Sequence, residues 1–282
     1  MTSLDAEPGI GPPRKRRRRP KLTARDERIL LLIGEYGCVA PERIKNLFWK
    51  STKDSKTHIR RIGILRKRGL LEAVVGDRAL TIGYRLTLRG KRIVAQLGPA
   101  RASAINRRSY KTQFEHDQLL IDIRGVLEKS PLVKDFRSEA EIRRALLTGD
   151  KKLLHWENLP SIPDAAFLFA IPGHEQRAVL ELELTPKKRQ RYSRIFRNHL
   201  LAKEWGLVFY VVRDEPFKQL LMQILAAVKA KDVQVQIAKR VNGIYFCTLE
   251  DFQKRELRVP FTNGKEEISL AEIAKNFGIT AA

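Results

Sequence analysis

Apolar residues recur at helical spacing through the first part of the chain. Ile29, Leu30, Ile33 and Tyr36 share one face behind Thr23, a natural N-cap, with Asp26 in the first turn and Gly37 near the stop. A second, short helix is expected from Pro41, with Ile44 and Leu47 turned inward. A third spans roughly residues 53–68, with Ile59, Ile62 and Leu65 as its inner stripe and Gly69 closing it. Two β-runs then flank Gly76-Asp77, a short-range hairpin signal, and Thr87 opens a further helix through Leu97. Three helices, a hairpin and a helix in this order predict a winged helix-turn-helix domain over 23–98, its third helix sized for a DNA major groove.

A loop of small and basic residues near 98–108 separates this part from a second periodic region. Residues 113–129 read as a helix with Phe114, Leu119, Leu120, Ile123 and Leu127 in phase, and 135–147 as one or two extended segments. Strands are expected at 164–170 and 177–184, a basic helix at 187–204, an apolar strand at 206–213 and a helix at 216–229. The uninterrupted apolar run Leu207–Val212 is what a central strand covered on both faces requires. The expected architecture is therefore α+β/α/β in two domains: the winged helix, then a mixed α/β sheet domain over 109–230. Residues 231–282, with strand-like VQVQI and GIYFCTL segments and a final amphipathic helix near 267–277, read as a C-terminal appendage.

Charge narrows the choice of partner. The 282 residues carry 55 Lys and Arg against 32 Asp and Glu, a net +23. An excess of that size concerns partners more than fold, and nucleic acid or an anionic membrane surface are the candidates. No apolar run approaches the ~20 residues of a spanning helix and no signal peptide is visible, so DNA is the expected partner and the cytoplasm, in association with nucleoid or plasmid, the expected location. Residues 1–22 form a basic tail, expected to be disordered, in which Arg14, Lys15, Arg16, Arg17, Arg18 and Arg19 lie between prolines. Laid along DNA such a tail releases counterions without reading sequence; in a eukaryotic host it would read as a nuclear signal. On the winged helix, Lys53, Lys56, His58, Arg60, Arg61, Lys67 and Arg85 are the candidate DNA contacts, alternatively the charges of a solvated helix used in protein contacts. Cys38 and Cys247 are expected to be buried thiols, and the five histidines lack zinc-site spacing. Trp49, Trp156 and Trp205 are expected in the core or an interface, and no Gly-rich phosphate loop supports nucleotide hydrolysis.

The candidate chemistry lies in two strands. Asp164 stands at the start of one; in the next, the alternation of Leu180, Leu182 and Leu184 puts Glu181 and Glu183 together on the opposite face. Three carboxylates at one end of a sheet repel unless neutralised, and a hard divalent cation, Mg²⁺ (or Mn²⁺), would do so. Such an ion polarises a phosphodiester, and the basic residues from Lys187 to Arg197 are placed to hold phosphates. The bland alternative is that Asp164 caps a strand start while Glu181 and Glu183 form a solvated strand face.

Pro163-Asp164 followed by Glu181-x-Glu183 resembles the PD-(D/E)xK nuclease motif in its ExE form. The order of elements is similar to that restriction-endonuclease-like core. Over residues 23–230 the chain resembles the replication-relaxation family of plasmids and integrative elements, which is related to MobC-type relaxases. The resemblance rests on Tyr84-x-Leu86-Thr87-x-x-Gly90, His116-Asp117, Ser138-Glu139, Pro163-Asp164 and Leu180-Glu181-Leu182-Glu183. It implies a metal-dependent DNA endonuclease or relaxase that nicks an origin, with Asp164, Glu181 and Glu183 as metal ligands, Glu183 alternatively a base, and Lys187 as phosphate or transition-state stabiliser. A homodimer, or relaxosome and replication proteins, are the further partners expected. Two departures stand beside it. The usual ExK lysine is Glu183, so Lys187 or Lys188 would have to supply the amine; and no clustered histidines accompany Tyr192, the first tyrosine to test as a nucleophile. The competing expectation is a non-catalytic replication or transcription regulator that keeps a degenerate nuclease-like scaffold.

Overall fold

The computed structural model describes residues 22–49, 56–76, 80–97, 111–148, 162–171, 173–202, 206–238 and 242–276. The first helix, α1 (Ala24–Tyr36), begins with a reciprocal cap: the Asp26 N–H donates to Thr23 Oγ1 (3.2 Å) and the Thr23 N–H to Asp26 Oδ2 (2.8 Å). Gly37, at φ +77°, ends it, its N–H bonded to the Ile33 carbonyl. Pro41 opens α2 (Pro41–Phe48), and α3 (Thr57–Lys67) follows. Strands β1 (Leu71–Val75) and β2 (Thr81–Leu86) pair antiparallel, and α4 (Leu88–Leu97) returns across them. Ile29, Leu30, Ile33, Ile44, Ile62, Leu65, Leu86 and Val94 make the shared core of these elements. The Tyr84–Gly90 motif has a structural meaning here. The Tyr84 backbone bridges to Val39, Leu86 enters the core, and the Thr87 hydroxyl donates to the Gly69 carbonyl while accepting from the Gly90 N–H. A Cβ at Gly90 would stand 2.1 Å from the Leu70 carbonyl oxygen, so α4 sits this close only because glycine is there.

Helix α5 (Lys111–Leu127) leads into the second layer, followed by β3 (Val133–Ser138), α6 (Glu139–Thr148), β4 (Ala165–Ile171), β5 (His174–Glu183), α7 (Arg189–Leu201), β6 (Leu207–Val212), α8 (Glu215–Lys231), α9 (Val233–Ile237) and β7 (Gly243–Thr248). After α10 (Leu249–Arg255) and a 3₁₀ turn come β8 (Phe261–Thr262), β9 (Glu267–Ile268) and α11 (Leu270–Asn276). The strands form one mixed sheet in chain order, β3 to β9. The β5/β6 and β6/β7 pairs are parallel and the others antiparallel. Each side is covered: Leu180, Leu182, Phe209 and Val211 pack with Leu120, Ile123 and Leu127 of α5, while Val179, Val208, Tyr210 and Val212 pack with α7 and α8. Strand β6 is thus central and apolar on both faces, as its composition requires.

Four expectations are corrected. Residues 139–148 are helical, not extended, because Ser138 and Glu141 cap the helix start reciprocally. VQVQI is a short helix, not a strand: the Asp232 carboxylate accepts from the N–H groups of Gln234 and Val235 and starts a turn. The sheet does not end at residue 230, since β7 pairs with β6 along its whole length and brings β8 and β9 with it, so 231–282 is no appendage. Ile59 does not belong to the inner stripe of α3; it is 63% exposed, while Ile62 and Leu65 face inward. Both cysteines are buried free thiols, as expected. Among the described residues no helix is long and apolar enough to cross a membrane.

Gly90→Ala is expected to lower the unfolding free energy by about 1–3 kcal/mol through the forced separation of α4 from Leu70. Urea unfolding checks this; an unchanged midpoint would show that α4 is not seated on that carbonyl.

Candidate functional site

The antiparallel ladder between β4 and β5 stops at Ala165↔Leu180. One step further along the same register, Asp164 stands opposite Glu181. The next backbone groups of β5 on that side would be left open, and side chains close them. The Leu182 N–H donates to Asp164 Oδ2 (2.7 Å), and His116 Nε2, reaching over from α5, lies 3.2 Å from the Leu182 carbonyl and 3.3 Å from the same Asp164 oxygen. On the other side of His116, Nδ1 is 3.7 Å from Asp117 Oδ1, too long for a hydrogen bond. Asp164 therefore does cap a sheet end, but it does so inside a cluster of charge.

Glu181 and Glu183 project on the face covered by α7, and neither is a solvated strand residue: Glu183 is buried, and the Glu181 side chain is 14% exposed. The Lys187 ammonium is ion-paired with Glu183 Oε1, and the Tyr192 hydroxyl donates to Glu183 Oε2 (3.2 Å) while accepting from the Lys187 N–H (3.2 Å). Glu181 is placed differently. The His199 imidazole lies beside it, with Nε2 at 3.7 Å from Glu181 Oε1, and His199 is fully buried on α7. Burial, reinforced by the charges of Asp164 and Glu183, raises the Glu181 pKa well above the usual carboxylate range; burial also raises that of Glu183, against the pull of Lys187. Burial alone lowers His199 to about 4, so it is neutral at ordinary pH. For His116 burial acts downward, but Asp117 and Asp164 outweigh it and lift the imidazole to about 10.

The centre thus brings together Asp164, Glu181, Glu183 and Lys187, the four residues expected from the sequence, with His116 of the His116-Asp117 motif beside them. His199 and Tyr192 were not assigned to support it, although both belong to one face of α7: they are one heptad apart. Tyr192 is fully buried and its phenol is held by Glu183, with a pKa raised by burial, so it is a prop for the centre and no exposed nucleophile. Among the described residues no group of three or more His, Cys, Asp or Glu side chains converges as a ready metal cage. The donor set nevertheless suits a hard cation of modest demands. Mg²⁺ keeps several waters and takes one or two carboxylates together with phosphate oxygens, and Asp164 and Glu181 are two adjacent carboxylates whose mutual repulsion it would relieve.

The candidate DNA contacts separate into groups. Arg16, Arg17, Arg18 and Lys53 lie outside the described residues, as do Trp156 and Trp205. Arg61 is engaged internally, paired with the buried carboxylate of Asp26 and tying α3 to the start of α1. Arg85 pairs with Glu72 across the β1–β2 ladder (2.7 Å), and His58 packs near the Trp49 ring. Lys56, Arg60 and Lys67 are exposed on α3, joined by Arg66, which helical spacing alone would have added. Beside them a cavity of about 550 Å³ between α1 and α3 is lined by Arg25, Trp49, Arg60 and Arg61. Comparison of the chain with family models, curated proteins and solved structures gives no match.

The His116 ring should make stability depend on pH. Its folded pKa of about 10 lies above the ordinary 6.5, so its contribution is complete below about 6.5 and is lost as pH rises through about 10. His116→Ala is expected to destabilise the protein at pH 6 by about 1.5–3 kcal/mol more than at pH 10. Urea titrations at the two pH values measure the difference, and equal penalties would remove the imidazolium from this account.

Proposed function

We propose that the chain is a DNA-binding protein of a plasmid or mobile element, in which α1 to α4 form a winged helix-turn-helix and the sheet is a PD-(D/E)xK-like nuclease core that nicks DNA with Mg²⁺ (or Mn²⁺). The observation that carries this reading is the gathering of Asp164, Glu181 and Glu183 with Lys187 at one end of β4 and β5. Support also comes from connectivity. A helix, three antiparallel strands and a parallel β5–α7–β6 crossover are the order expected of that nuclease core, with α6 added after the first strand. For the DNA reading, support comes from the net +23 and from exposed cations along α3.

In this reading Asp164 and Glu181 bind the cation, which when bound supplies charge neutralisation and polarises the phosphoryl group. Glu183, fixed by the Tyr192 hydroxyl, holds Lys187 at the rim, where its ammonium meets charge developing on the phosphate. His116 keeps Asp164 in place against Leu182. With Tyr192 enclosed, water is the attacking group.

A second reading has its own support. His116 and Lys187 already offset part of the negative charge, and Asp164 has a backbone-capping task, so the centre also suits a non-catalytic regulator with a nuclease-like scaffold. Calorimetry separates the two: the regulator shows no heat with Mg²⁺ or Mn²⁺ while duplex affinity is intact.

On supercoiled plasmid with Mg²⁺, Asp164→Ala and Glu181→Ala are expected to lose nicking by about 100-fold or more, with Tyr192→Phe staying within about tenfold of the unsubstituted chain. Equal rates in all four proteins would remove the site, and loss in Tyr192→Phe alone would point to a tyrosyl mechanism. Independently, Lys67→Ala should weaken duplex binding and lower the slope of log affinity against log salt by about 1. An unchanged slope would place Lys67 away from the phosphates.

A further inference from the structure

At 3.6 residues per turn, Lys56, Ile59, Arg60, Gly63, Arg66 and Lys67 fall within about 120° of the circumference of α3, with Gly63 at the middle. All but Gly63 are exposed, and among the described residues Arg60, Arg66 and Lys67 have no carboxylate partner. Gly63 is the anomaly of this face. It lies in the interior of a helix with no positive φ, and among the described residues a Cβ built on it meets no atom within 4 Å outside its own stretch of helix. Neither turn geometry nor packing against the described residues asks for glycine here, yet glycine in a helix interior is destabilising relative to alanine. Gly90, where a Cβ would strike a backbone oxygen, shows what a glycine required by the fold looks like in this same protein.

A second observation points outward in the same way. Ile59, one turn before Gly63, leaves 63% of its surface in water, apolar area between cations on a face that the described residues do not cover. An aliphatic side chain set among Lys and Arg matches a duplex groove, where phosphates take the cations and thymine methyl groups the apolar contact.

We infer that Gly63 is the point of closest approach between α3 and duplex DNA, its missing side chain letting the helix backbone seat on the edges of the base pairs. This rests on the DNA-binding reading above and gives it a specificity-determining position. Stability and recognition are then opposed at this residue: the fold would be better served by alanine, and the seating by glycine.

The test uses the full chain. A duplex is first enriched from a randomised library by the unsubstituted protein, and affinities are then measured on it and on a scrambled duplex of equal length. Gly63→Ala is expected to raise the melting temperature, to weaken binding to the enriched duplex by at least about tenfold, and to leave the scrambled duplex nearly unaffected. Gly63→Leu should weaken the enriched complex further. A Gly63→Ala protein that melts higher and binds the enriched duplex as before would overturn the inference, and so would one that melts lower, since the glycine would then serve the fold. If the unsubstituted chain binds no duplex at low salt, the DNA reading itself fails and this inference with it.

Discussion

Helix α5 is shared by both layers, and the position of everything else follows from that sharing. Ile121 is buried in the core of the N-terminal helices, while Leu120, Ile123 and Leu127 are buried against the sheet. The buried Gln118 amide closes the junction, accepting from the Ala40 N–H (2.8 Å) and donating to the Cys38 carbonyl (2.9 Å) at the turn between α1 and α2. Arg43–Asp122 and Arg124–Glu35 ion pairs flank it. The same helix carries His116 to Asp164. The carboxylate centre and the basic helix α3 are therefore held by packing through one rigid element, so the strand end that gathers the carboxylates has a fixed relation to the surface proposed to meet DNA.

Burial also sorts the charges. Among the described residues Asp26, Glu35, Asp117, Glu141 and Glu183 are buried, against one buried arginine, Arg144. Five carboxylates drawn inward, several with a cation reaching in from the rim as Arg61, Arg124 and Lys187 do, leave a surface more one-signed than the composition suggests. Single exposed pairs add little to stability, whereas a buried carboxylate stripped of its cation is costly. Arg61 illustrates the distinction: it lies on the basic helix, but Asp26 determines what it does.

The legible parts of the chain were those where one local rule decides. Thr23 and Asp26 announce α1, the unbroken apolar run announces β6, and the period of two places Glu181 and Glu183 together whatever covers them. Residues 139–148 carried a readable signal too, since Ser138-x-x-Glu141 is a capping pattern; the apolar period of the segment obscured it. VQVQI failed for a different reason. Its alternation mimics a strand, but only Val235 is buried, so the pattern records no two-sided sheet environment. What no local rule supplies is convergence across the sequence: His116 arrives from 48 residues before Asp164 and His199 from 18 after Glu181, and only the crossing of α5 and α7 over the sheet brings them in.

The termination of β5 bears on how such a centre decays over generations. Asp164 both joins the acidic cluster and satisfies the Leu182 amide, so selection for folding alone retains it. Glu183 is likewise anchored by Lys187 and Tyr192. Among the described residues the Glu181 side chain bonds no backbone group, and it raises the electrostatic burden of its surroundings. If the centre cuts DNA as proposed, Glu181 would be the first of the three to drift in a lineage that lost cutting, and its identity in descendants would track activity better than that of the aspartate beside it.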